Sequence, residues 1–359
     1  MSFSLFKVIP KRSVGIDIGT SAVKLVEIRR WGKRKRLENY GEMKAKTLFE
    51  KPFRIYEKST LSLSEEEISR AIRAIMVEGG IKTTTASFAI PDFSSFFTTF
   101  ELPPMSKEEL SRAVHYEARR HIPLPLSEVT LDWQIVNEKR IKEERAPLKI
   151  LVVAVPKEVI YQYQRIASLA QLQLRALEAE VFSLLRALIV GKKKEEVVCL
   201  VDIGAQSTTC SIIDQGSLKV SHSFDISGNE WTHIISKSLK VSYNEAEELK
   251  QKIGLSSSSH KIKEILLPLV DLAISEIDKM SKAFYQAEGK KVQRIIVAGG
   301  SALMPGLISY FAENLRPERG VEIANPFSDL FYPPILEEAL KEMGPSFAVA
   351  VGAALRDLD

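Results

Sequence analysis

One segment near the start of this 359-residue chain recurs in its second half. VGIDIGTSAVKLVEI at 14–28 aligns with CLVDIGAQSTTCSII at 199–213, so Asp17, Ile18 and Gly19 coincide with Asp202, Ile203 and Gly204. Each copy reads as two β-rich runs of alternating Val, Ile and Leu joined by a tight turn of small residues. A repeat offset by 185 residues, in a chain long enough for two or three domains, predicts two related β-rich units, one in each half.

The turns carry chemistry. Glycine lets main chain approach a ligand closely, and successive N–H groups with the hydroxyls of Thr20, Ser21, Ser207 and Thr208 offer donors to phosphate oxygens. A carboxylate just before each turn repels an anion unless a cation lies between them, so Asp17 and Asp202 point to a hard cation, Mg²⁺ held through water. Lys24, further along the first hairpin, is a candidate for neutralising phosphate charge. Two more segments fit a nucleotide. RIIVAGGSALMPGL at 294–307 reads as a buried strand ending in Gly299, Gly300 and Ser301, where bare main chain can underlie a flat ring or ribose. In SYNEAEELKQKIG, Glu247 and Lys250 stand three apart on one helix face, suited to ribose hydroxyls and a base edge.

Between the repeats the pattern predicts a helix from Ser64 to Gly79-Gly80, strands at 83–90 and 96–102, and a capping box at Ser106 and Glu109 opening a helix that Pro123 and Pro125 end. DWQIV, a charged turn at 137–145, the strand LKILVVAV and a helix from Pro156 to about Ala170 follow. Residues 92–171 therefore read as an inserted subdomain. The turn 191–196 is a boundary, the serine run 256–259 a loop, 260–287 a helix, and GPSFAVAVGAALRDL the last helix.

Composition excludes several classes. Fifty Lys and Arg against forty-six Asp and Glu give +4, and the basic run Lys33–Arg36 reads as a solvated turn, with a membrane or acidic-partner patch as the minor alternative. No concentrated basic stripe marks a nucleic-acid binder. Two cysteines and five scattered histidines make neither a disulfide framework nor a zinc site. The N-terminus lacks a secretory pattern, and LKILVVAV is too short to span a bilayer, so the expected location is cytoplasmic.

Two Asp-x-Gly hairpins, an Ala-Glu-x-x-Lys helix and a Gly-Gly strand end, in that order, resemble the actin-like ATPase superfamily, which includes actin, heat-shock chaperone ATPases, sugar kinases, MreB and FtsA. Within it VGIDIGTSAVKLVEI, ELPPMSKEELSRAVHYEARRHIPLPLSEVTLDW and PSFAVAVGAAL are most similar to the PilM family of type IV pilus assembly. The resemblance implies an α/β actin-like fold, two domains around a nucleotide cleft with an FtsA/PilM-type insert. The first domain would comprise 11–91, 172–194 and 336–359, the insert 92–171, and the second domain 195–335 with a smaller part around 255–290. It implies Mg-ATP held by Asp17, Gly19, Thr20, Ser21 and Lys24 in one loop and Asp202, Gly204, Ala205, Gln206 and Ser207 in the other. Glu247 and Lys250 would hold the nucleoside over Gly299, Gly300 and Ser301, and Glu178 would stand near an attacking water.

The implied role is an ATP-binding scaffold or switch, with at most weak ATPase activity, that binds the cytoplasmic N-terminal segment of the membrane protein PilN. Arg112, His115, Tyr116 and Arg119 are candidates for that surface. The resemblance also implies other inner-membrane pilus assembly proteins as partners, attachment to the membrane only through them, no nucleic acid, and self-association as an open question. An FtsA-like division protein, another filament-forming relative and a type II secretion platform component are the alternatives. A small-molecule kinase would need a general-base Asp beside a substrate pocket, and the sequence places none.

Overall fold

The structure, a computed structural model, describes residues 11–45, 54–55, 60–61, 63–136, 147–189, 196–256, 258–315 and 320–358. The expected turns at 137–145 and 191–195, the N-terminal segment and Ser257 of the serine run lie outside the described residues.

Strands β1 (Lys11–Ile18) and β2 (Ala22–Trp31) form the first hairpin, with Asp17 opposite Lys24, and β3 (Arg34–Lys44) pairs with β2. Two short strands, β4 (Arg54–Ile55) and β5 (Thr60–Leu61), pair with each other. Helix α1 (Glu65–Glu78) starts at a capping box in which Ser64 and Glu67 satisfy each other's backbone N–H, and it buries Ile68, Ala71, Ile72 and Ile75. Strand β6 (Thr85–Ile90) then runs parallel to β1.

The chain next builds a separate layer. β7 (Phe96–Leu102), α2 (Lys107–Ala118), β8 (Val129–Ile135) and β9 (Leu148–Pro156) give an antiparallel sheet in the order β7-β9-β8. Leu110, Val114 and Ala118 of α2 close a core over Phe100, Ile150 and Val152. Helix α3 (Lys157–Leu169) was expected to belong to this insert. It instead buries Val159, Tyr163, Ile166 and Ala167 in the core formed by β1, β2, β6 and α1, so we propose that the insert ends at Pro156 rather than at 171. Strand β10 (Gln173–Ala179), parallel to β6, and α4 (Glu180–Leu188) complete the first half.

The second half repeats the plan. β11 (Val198–Ile203), β12 (Thr208–Asp214) and β13 (Ser217–Phe224) form an antiparallel meander, followed by α5 (Gly228–Leu239), α6 (Tyr243–Lys252) and α7 (His260–Glu288). β14 (Arg294–Ala298), α8 (Leu307–Asn314) and β15 (Gly320–Ile323) lead to α9 (Glu337–Arg356). The sheets have the same order: β10-β6-β1-β2-β3 in one and β15-β14-β11-β12-β13 in the other, three parallel strands and then two antiparallel. The register repeats too, for Asp17 pairs with Ala89 of β6 and Asp202 with Ala298 of β14.

Helices α4 and α9 join the halves, in a core that mixes Val26, Ile28 and Ala89 with Val198, Leu200 and Ile296. The pattern predicted the last helix only from Gly344. It begins at Glu337 and runs through Pro345, because Leu340, Phe347, Val351 and Leu355 are buried along it and offset the single backbone bond that proline removes.

Candidate functional site

The repeated turns close with the same bond. Gly19 N–H donates to Ala22 O at 3.0 Å, and Gly204 N–H donates to Ser207 O at 2.9 Å. Because each turn follows the central strand of its sheet, both stand at the strand ends that face the junction between the halves, where ligands gather in α/β folds. A cavity of about 970 Å³ opens there, within the size range of cofactor sites. Asp17, Gly19, Thr20, Ser21 and Lys24 line it from the first half; Asp202, Gly204, Ala205, Gln206 and Ser207 line it from the second. Glu247, Lys250, Gly299, Gly300 and Ser301 line it as well. Fifteen of the seventeen residues singled out for the cleft thus border one space; Thr208, buried with its hydroxyl donating to Ile226 O, and Glu178 do not.

Its floor depends on close packing. Gly299 has φ +90°, and a Cβ there would lie 2.4 Å from Ile203 O and 2.5 Å from Asp202 Oδ1. Its N–H donates to Pro345 O at 2.9 Å, which ties this turn to α9. Ser301 Oγ donates to Gly204 O at 3.2 Å, and Asn229 N–H to Ala205 O at 2.8 Å, so the second loop is braced from both sides.

Lys250 is buried and donates to Gly228 O and Thr232 Oγ1, each at 2.8 Å, while pairing with Glu247 at 2.8 Å. Burial alone would raise the Glu247 carboxyl, but Lys250 and the Thr232 hydroxyl hold it below the usual range. The lysine therefore fixes α6 against α5 and keeps Glu247 ionised at the cavity.

The electrostatics of the turns run the other way. Burial, then the neighbouring Asp17 carboxylate, push Asp202 up to about 6, with Lys24 opposing. Lys24 Nζ lies 4.0 Å from Asp17 Oδ2. Asp92, also buried, is pushed up to about 7 by its burial and by Asp202, although it accepts a hydrogen bond from Val181 N–H at 3.2 Å. Asp17 and Asp202 repel each other at the cavity, and Asp92, buried behind its lining, repels Asp202 in turn, an environment that a bound cation relieves. Among the described residues no group of three or more His, Cys, Asp or Glu could hold a metal by itself. That donor set fits a hydrated Mg²⁺ shared with a ligand's phosphates and does not fit an all-protein cage.

Glu178 corrects the sequence reading. It does not line the cavity. Its carboxylate is buried beneath β10, accepting from Arg186 Nη2 at 2.9 Å, Ser183 Oγ at 2.7 Å and the Arg356 guanidinium. Burial would raise it, but Arg186, Ser183 and Arg356 hold it below the usual carboxylate range. The acidic residue that reaches the cavity is Glu180, the first residue of α4, because the chain changes there from strand to helix and the side chains no longer alternate. We expect Glu178→Ala to destabilise the ligand-free protein by about 3–5 kcal/mol, since it removes the buried carboxylate that Arg186 and Arg356 share, while Glu180→Ala melts within about 1 kcal/mol of wild type. Thermal denaturation without nucleotide checks both.

Sequence reasoning also missed Asn229, Glu230, His233 and Tyr243, which line the cavity from α5 and α6. Tyr243 OH donates to Asn229 Oδ1 at 2.8 Å. Asp92 was missed as well: it stands three residues beyond Ala89 as Ser301 stands three beyond Ala298, an equivalence that only the strand register reveals.

A family model of "Type IV pilus assembly protein PilM" matches residues 15–358. The chain belongs to the PilM family. The solved "PilM-PilN type IV pilus biogenesis complex" shares this PilM-family fold with a TM-score of 0.84 and 24% identity, over 97% of this chain and 98% of that one. MreB5 of Spiroplasma citri, solved with bound ADP, matches with a TM-score of 0.51 and 13% identity, covering 95% and 94%. Cell division protein FtsA of Enterococcus faecalis is 23% identical over 343 residues, 84% of this chain and 76% of its own length. The fold is therefore that of the actin-like ATPases, and the family places the chain in type IV pilus assembly. Arg112, His115 and Tyr116 of α2, and Arg119 just after it, are exposed. No helix among the described residues is long and apolar enough to cross a membrane.

Proposed function

We propose that this protein is a nucleotide-loaded scaffold of the pilus assembly machine, which binds Mg-ATP between its halves and offers the insert to the cytoplasmic N-terminal segment of a PilN-like membrane protein. The observation that carries the reading is the pair of equivalent Asp-x-Gly turns on one cavity, two in number because the halves are repeats. MreB5, of similar fold, is solved with ADP, and a PilM is solved with PilN, which supports both parts of the reading.

When bound, the nucleotide with its Mg²⁺ would supply negative oxygens and a positive centre to the two turns. The backbone N–H groups of 20–21 and 205–207 would donate to the phosphates, those of Gly19 and Gly204 being used to close the turns, Lys24 would neutralise charge, and Asp17 and Asp202 would hold the cation through water. Glu247 would accept from ribose hydroxyls, Lys250 keeping it in place and ionised. Drawing the turns together moves the sheets on which they are built. Because α9 packs on both, that movement reaches the first sheet, from which the insert grows after β6. Glu180, which lines the cavity where Glu178 does not, would be the residue to orient a water, so any hydrolysis would depend on it and not on Glu178. Attachment at the inner membrane follows through the partner.

The switch has a direct test. Titrating a synthetic peptide of the PilN cytoplasmic segment into the protein should give a dissociation constant at least about tenfold lower with Mg-ATP than without. Equal affinity in both states would reduce the nucleotide to a structural part, and no binding in either would remove PilN as the partner.

A further inference from the structure

The basic run Lys33–Arg36 was expected to be a solvated turn, and the structure gives it a setting. Phe331, far along the chain, joins the edge of β3: Leu37 N–H donates to Phe331 O and Phe331 N–H to Lys35 O, both at 2.9 Å. This pairing brings Phe331, Tyr332 and Pro333 beside the β2–β3 turn and encloses a second hollow of about 700 Å³, away from the cleft. Trp31 completes the apolar wall, and Arg29, Arg34 and Arg36 supply the charge.

The composition of this wall is selective. Trp31 is 62% exposed and Phe331 59%, with Ile335 beyond them at 89%. Single exposed apolar side chains are ordinary, but two such rings around one concavity leave apolar area that a ligand can cover. The Arg34 guanidinium lies 5.8 Å from the Phe331 ring centroid, a cation–π arrangement that holds the charge at the rim. Among the described residues no carboxylate lines the hollow. Glu38 answers Arg29 at 3.1 Å and Arg36 at 3.7 Å, so the positive excess centres on Arg34 and the exposed Lys33.

We propose that this hollow is a second binding site, which takes an acidic segment of a partner protein carrying an aromatic or large aliphatic anchor. The concavity selects the occupant. A flat bilayer laid across the rim would leave the space beneath it empty, whereas a projecting side chain fills it, and the arginines complement carboxylates beside that anchor in the chain. An extended nucleic acid would need basic groups along a track, and here they gather at one turn.

The test uses the full chain as bait for a phage-displayed library of random dodecapeptides, with Arg34→Glu and Phe331→Ala proteins as counter-baits. Both side chains are exposed or at a rim, so both variants should melt as the wild type does. We expect enriched peptides with net negative charge and at least one aromatic or large aliphatic residue. Their affinity should fall about tenfold or more in each variant. Failure to enrich, enrichment of neutral or basic sequences, or affinity indifferent to Arg34→Glu each overturns the proposal. So does Arg34-dependent capture by phosphatidylserine vesicles or by an oligothymidylate without an acidic peptide consensus, which would reassign the hollow to a membrane or a single strand.

Discussion

We expect Asp202→Asn to raise the melting temperature of the ligand-free protein at pH 8 while abolishing its retention of magnesium nucleotide. The sign follows from the direction of the shift. Burial and Asp17 push Asp202 up to about 6, so the folded state holds this proton more tightly than the unfolded chain does. Its contribution is therefore fully present below about pH 4 and lost as pH rises through about 6. At pH 8 the ionised carboxylate costs the folded state about 3 kcal/mol at most, which the amide removes. The gain should shrink as the pH is lowered from 8 towards 4, where the wild-type group is already protonated. Asp92, pushed up to about 7 by burial and by Asp202, acts in the same direction, so the ligand-free protein should be less stable at pH 8 than at pH 5 from these two groups. On the proposed function the same substitution takes away a charge that would hold the cation, and affinity should drop by a factor of about 100 or more. A site that is destabilising when empty and necessary when filled is the stability–function trade-off expected of a binding site. Thermal denaturation across pH, paired with nucleotide titration, reads both effects.

The second large effect lies at the junction of the halves. A Cβ on Gly352 would lie 1.9 Å from Ser183 O, and one on Gly15 would lie 2.0 Å from Ala350 O. In both cases the obstacle is backbone, which cannot rotate aside, so α9 must move away from α4 or from β1. Since α9 also carries Phe347, Val351 and Leu355 in the shared core, the shift opens contacts on both sheets. We expect Gly352→Ala to cost about 4 kcal/mol or more and to lower the melting temperature by about 5 °C or more. Gly300→Ala is the control, for its Cβ would meet nothing within 4 Å and its backbone is not left-handed. That variant should melt as wild type does and show its effect, if any, in nucleotide affinity.

The repeat made the two sheets and the cavity legible before any coordinates, because Asp-x-Gly turns depend on local residue types and an alternating pattern that a single sequence displays. The capping box at Ser106 and Glu109 was legible for the same reason. What escaped depends on long-range pairing. Strand β10, QLRALEA, is built from good helix formers and becomes a strand through parallel pairing to β6, which outweighs propensity. The change from β10 to α4 then decided between Glu178 and Glu180, a matter of side-chain direction that spacing alone does not convey. The destination of α3 escaped likewise, since its apolar face fits either core by pattern, and tertiary packing sends it to the first. Nor does anything local to Lys33–Arg36 foretell that Phe331 will pair beside it.

The central claim, a magnesium nucleotide held between the paired turns, is tested most directly by loading the purified protein with Mg-ATP, removing free nucleotide, and identifying by chromatography what stays bound after an hour. The account predicts about one equivalent of nucleotide on the wild type and none on Asp202→Asn, intact ATP marking a switch or structural ligand and ADP a working ATPase. Absence of nucleotide from the wild type, or equal retention by Asp202→Asn, would contradict it.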